Sequence, residues 1–171
     1  MVYVFQRGDQ VLYGMHGICR IVDLETKKIG AKAAEYYVLQ PIDQSGSRYY
    51  VPTQNPNAVA KMRPILTQEE LHDMLHSADM GKDAWINDEN QRKQRYCSLI
   101  TSADRAALVQ MVHAIHKHKA QLSAAGKKLH SCDENFLRDA EKLLGSEFSL
   151  VLNIGHDDVG DYVKSIIEAS D

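Results

Sequence analysis

Pro64 divides this chain of 171 residues into two stretches that repeat differently. Before it, VYVF (2–5), GDQVLYG (8–14), GICRIVDLE (17–25), EYYVLQPI (35–42) and SRYYVPT (47–53) are runs rich in β-branched and aromatic residues, separated by Gly, Pro, Asn, Asp or Ser clusters. Such runs read as short strands, and their close spacing predicts a small antiparallel barrel or strongly bent sheet. Gly14 and Gly17 bracket Met15-His16 and predict the turn between the first two main strands. After Pro64 the apolar residues recur at helical spacing: Leu108, Met111, Val112, Ile115 and Leu122, then Leu137, Ala140, Leu143 and Leu144, then Val159, Tyr162, Val163, Ile166 and Ile167. Thr67 with Glu70, and Ser131 with Glu134, have the spacing of capping boxes. The expected fold is therefore α+β in two domains. A small antiparallel β domain spans 1–62 and an all-helical bundle of roughly five helices spans 66–171, with NPNAVAKMRPIL (55–66) joining them.

The chain is 44% hydrophobic, enough for a real core. No apolar run approaches the length of a membrane span, and MVYVFQRGDQ lacks the basic-then-apolar order of a secretory leader, so a cytoplasmic protein is expected. Cys19, Cys97 and Cys132 lie far apart with no CxxC pair, which points to reduced thiols. The net charge of −3 hides strong segregation. Residues 1–66 carry +3, residues 67–90 carry −6, residues 91–130 carry +7 and residues 131–171 carry −7. A basic block of this kind makes a local positive surface on an acidic protein, the surface that meets phosphate.

Trp85, the only tryptophan, stands directly before that block in the polar stretch KDAWINDENQRKQRY (82–96). With Asp83 as N-cap, a helix over 83–98 would bring Trp85, Glu89, Arg92 and Tyr96 to one side. Trp85 then either packs into the bundle with Ile86 and Leu99 or is displayed for a partner. An aromatic wedge flanked by cations is one way to engage the minor groove: the ring props an unstacked base step while the cations hold phosphates. Enzyme chemistry finds little support. No GxSxG, P-loop or GxGxxG occurs, and His113, His116, His118 and His130 lack a carboxylate at ligand spacing, so neither a metal nor a cofactor is expected.

In the first half, Arg48-Tyr49-Tyr50-Val51-Pro52 is the strand best suited to pair with another protein. Tyr and Arg favour interfaces, and a following proline suits a sheet edge.

The order of these parts resembles the CarD/CdnL family of bacterial RNA-polymerase-binding transcription regulators. The likeness rests on GDQVLYGMHGICRIVDLET (8–26), EYYVLQP (35–41), YYVP (49–52), the single tryptophan near the start of a helical domain, ITSADRAALVQMVHAI (100–115), GKKLHSCDENFLRDAEKLL (126–144) and EFSLVL (147–152). The resemblance implies a Tudor-like β barrel, also shared with transcription-repair coupling factors, that docks on the polymerase β subunit. It further implies a helical domain that reaches promoter DNA at the upstream edge of the transcription bubble, with Trp85 as a minor-groove wedge that stabilises the open complex. Arg92, Lys93 and Arg95 are then the expected phosphate contacts, and Arg48 to Pro52 the expected polymerase contacts. Two positions depart from the family pattern: Tyr50 stands where many members have a basic residue before Val-Pro, and Asn87-Asp88-Glu89-Asn90 separates Trp85 from the basic residues. A monomer with weak, non-sequence-specific affinity for free DNA is expected, since the acidic segments repel phosphate and tethering to polymerase supplies effective concentration. The competing reading is a protein–protein adaptor that never touches DNA.

Overall fold

The computed structural model describes residues 5–42, 46–77, 80 and 82–169. They divide into two compact units, one ending at Ile65 and one beginning at Leu66.

The first unit is a five-stranded antiparallel sheet: β1 (Gln10–Tyr13), β2 (Ile18–Ile29), β3 (Lys32–Pro41), β4 (Tyr49–Pro52) and β5 (Met62–Pro64), in the spatial order β4-β3-β2-β1-β5. A short helix, α1 (Pro56–Val59), precedes β5, and the Asn55 side chain caps it by accepting from the N–H groups of Asn57 and Ala58. The expected barrel is not what forms, because the sheet is not closed: β4 and β5 lie at opposite edges. These edge strands are only four and three residues long. The chain length goes instead into β2 and β3, a hairpin of 12 and 10 residues that outruns its neighbours. Beyond Thr26, the rungs Lys27–Ala34, Lys28–Ala33 and Ile29–Lys32 pair only with each other and end at Gly30, whose φ of 68° suits a residue without Cβ. The fifth strand also comes from an unexpected place. Within VYVF, residues 2–4 lie outside the described residues, and Met62–Pro64, read from sequence as part of the joint, pairs with β1. The expected turn is present, as a single 3₁₀ turn at Gly14–His16 closed by Gly17 at φ 79°.

One face of the sheet is buried by Phe5, Val11, Cys19, Ile21, Tyr37, Leu39, Val51 and Met62. Alternation along the strands explains the selection, since every second side chain points to the same face.

The second unit holds five α-helices among the described residues: α2 (Gln68–Leu75), α3 (Glu89–Ser102), α4 (Arg105–Ala124), α5 (Ser131–Leu152) and α6 (Val159–Ala169). Thr67 and Glu70 form the expected capping box, each side chain accepting the other's backbone N–H. The box expected at Ser131 does not form: His130 is the N-cap of α5 and makes no side-chain cap bond, which puts Ser131 inside the first turn. The core collects the predicted stripes, including Leu108, Met111 and Ile115 of α4, Leu137 and Ala140 of α5, and Val159 and Ile167 of α6, around Tyr96 and Phe148. Glu147 of α5, though buried, is fully partnered. Both its oxygens accept from Arg105 at 2.6 Å, and Oε2 also accepts the Leu66 N–H at 3.3 Å, which fastens the start of this unit to α5.

Candidate functional site

Trp85 does not lie on a helix. α3 begins five residues later than expected, because Asp88 rather than Asp83 serves as N-cap and accepts the Gln91 N–H at 2.8 Å. Asp83 instead accepts the N–H of Trp85 at 3.0 Å, a turn that shapes the loop between α2 and α3. Two buried side chains of α3 hold the loop backbone. Arg92 donates from Nη1 to the carbonyls of Ile86 (2.9 Å) and Asn87 (3.4 Å), and Tyr96 donates its hydroxyl to the carbonyl of Ala84 at 3.5 Å. Burial pushes the Tyr96 phenol up to about 12, so it remains a donor throughout the neutral range.

Arg92 is only 3% exposed and is held in turn by α5. Its Nε donates to Asp133 Oδ1 at 2.9 Å and its Nη2 to Asp133 Oδ2 at 2.8 Å, and the carboxylate itself is fully buried. The Asp133 hydrogen bonds raise the guanidinium's pKa above its ordinary value, against the opposing effect of burial. Such a bidentate fork suits Arg and could not be made by Lys. Phosphate contact by Arg92, expected from sequence, is therefore replaced by an internal role: the guanidinium is spent on Asp133 and on the loop that carries Trp85.

The indole is half-buried at the rim of the helical core. The His118 imidazole of α4 lies parallel to it, with 3.9 Å between ring centroids and 15° between planes, and the Arg92 guanidinium carbon sits 4.3 Å from its centroid. The apolar company missing from the local sequence is thus supplied from a distance by two flat nitrogen-bearing side chains. Sequence reasoning missed His118, yet a signal existed: it continues the α4 stripe Met111, Ile115, His118, Leu122 at steps of four, three and four.

Lys93 and Arg95 diverge. Lys93 pairs with Glu89 one turn earlier at 2.7 Å, and that bond lowers the Glu89 carboxyl below its usual range. Arg95 is exposed and, among the described residues, pairs with no carboxylate. His116 lies 2.6 Å from Glu141 Oε1, and Lys117 and Lys119 are exposed on the same helix. Among the described residues no group of three His, Cys, Asp or Glu side chains could hold a metal ion, and no helix is long and apolar enough to cross a membrane.

In the first unit, the chosen segment lies at a sheet edge as β4, but its side chains divide between faces. Val51 is buried in the core at 1% exposure, so it can offer a partner only its backbone. Tyr49 packs inward beside Tyr13 and His16, with its ring 4.4 Å from the imidazole. Tyr50 faces outward, 39% exposed, with Lys27 Nζ 3.5 Å from its ring centroid and the Tyr36 ring edge-on at 6.4 Å. Arg48 stands just before the strand, exposed. A cation therefore stands beside Tyr50 after all, supplied across the sheet by Lys27.

A search of curated proteins found no match to this chain. Residues 5–66, which include all five strands, match the family model of the CarD-like/TRCF RID domain, an RNA polymerase-interacting domain, so the first unit of this chain is similar to that domain.

Proposed function

We propose that this chain is a transcription regulator that docks on the β subunit of bacterial RNA polymerase through the β4 edge. Its second unit then contacts promoter DNA at the upstream edge of the bubble and stabilises the open complex. Docking would use the backbone edge of β4 with Arg48, Tyr50 and Lys27, adding a strand to the partner. DNA contact would use Trp85 as the wedge, with Lys93 and Arg95 toward phosphates and Arg92 acting only through the loop. One observation carries the second half of this reading: the single tryptophan sits at a rim, on a loop whose carbonyls at 84, 86 and 87 are all tied to α3. A tryptophan needed only for packing requires no such anchored display. The reading involves no catalysis.

The test is the lifetime of the polymerase–promoter open complex with no addition, with the protein, with Trp85→Ala and with Tyr50→Glu. The wild type should lengthen it. Trp85→Ala should keep its affinity for polymerase but lose most of that effect, roughly 5-fold or more in lifetime given what it costs to hold a base step unstacked without a wedge. Tyr50→Glu should lose polymerase affinity. An unchanged lifetime in all cases, with polymerase still bound, would leave the adaptor reading in its place.

A further inference from the structure

Two flat groups lie within stacking distance of one indole, His118 parallel at 3.9 Å and the Arg92 guanidinium at 4.3 Å, and these cannot share a face of the ring. Trp85 is therefore sandwiched, with its edge left as the part that meets a partner. The lower layer is fixed by the buried Asp133 fork and the upper by the apolar stripe of α4, so elements from three places in the sequence set the orientation of one ring.

We propose that His118 is a positioning residue for Trp85: it holds the indole ready before DNA arrives and makes it enter the base step by its edge. The proposal rests on the DNA reading above. A free tryptophan on a loop loses rotamer freedom when it binds, and a ring already immobilised in the unbound protein avoids that cost. The role belongs to His118 rather than to Arg92 alone, because Arg92 also holds the loop backbone and its loss would disturb the fold. His118 touches the ring from a helix that stands without it. A flat side chain is what the position requires, and phenylalanine should serve.

The experiment uses the full chain with His118→Ala and His118→Phe. Because Trp85 is the sole tryptophan, acrylamide quenching of its emission reports on this ring alone. His118→Ala should raise the quenching constant and shorten the open-complex lifetime roughly 2- to 10-fold relative to wild type, the range expected for one stacked aromatic pair. His118→Phe should restore both. Unchanged quenching in His118→Ala overturns the proposal, as does raised quenching with a wild-type lifetime. If Trp85→Ala itself has a wild-type lifetime, the DNA reading falls and takes the positioning role of His118 with it. Quenching needs neither DNA nor polymerase and still shows whether His118 holds the ring, so the two failures are distinguishable.

Discussion

Arg92 and Asp133 meet where neither side chain sees solvent, with exposures of 4% and 0%. Removing one partner strands the other, so Asp133→Ala should cost about 3–5 kcal/mol in urea unfolding. The paired change Arg92→Met with Asp133→Leu should recover most of that stability, yet it should leave Trp85 more accessible to quencher, because the Ile86 and Asn87 carbonyls lose their donor. Cys19 yields a pH prediction. Burial pushes its thiol up to about 11, so the folded state keeps the proton that an unfolded thiol releases near pH 8.5. A raised acid of this kind contributes stability that is full below about pH 8.5 and lost as pH rises toward 11, with a limiting slope of about 1.4 kcal/mol per unit. Urea midpoints between about pH 8 and pH 10 should fall in the wild type and fall less in Cys19→Ala. At this scale the sequence singled out Trp85 but misread Arg92. The partner of Arg92 lies 41 residues away, and a buried ion pair leaves no local pattern by which to find it.

Helix starts show where local rules suffice. Thr67→Ala should cost about 1 kcal/mol, since it removes a cap whose two reciprocal bonds are both made; thermal unfolding of the full chain reads it. The same motif at Ser131 was misleading because Asp133, its third residue, is turned toward Arg92 and α5 starts one residue earlier. The stripes of α4, α5 and α6 were legible because burial follows a period of about 3.6 residues. The start of α3 was not, because Asp83 and Asp88 are equally good caps by type and only the Arg92 contacts to Ile86 and Asn87 favour a loop between them. Among the strands, β1 to β4 were visible as runs of β-branched and aromatic residues between turn-forming clusters. β5 was not: three residues, Met62-Arg63-Pro64, carry no period, and pairing with β1 alone makes them a strand.

In the whole molecule, each unit has its own core, and the functions proposed for them separate accordingly. DNA contact should carry the signature of the basic block. The logarithm of open-complex stabilisation should fall with the logarithm of salt, and Arg95→Ala should reduce that slope by about one phosphate contact without altering polymerase affinity. A slope unmoved by Arg95→Ala would remove this residue from the interface. The open sheet has a further consequence, for life without a partner. A β4 edge proposed to accept a strand from polymerase could equally accept one from another copy of itself, and unpaired edges seed aggregation. Only four residues are on offer, preceded by the charge of Arg48 and ended by Pro52, so a stray strand finds little length to zip along. Brevity there works as protection: it leaves the edge too short for its own kind and sufficient for a partner that adds side-chain contacts of its own.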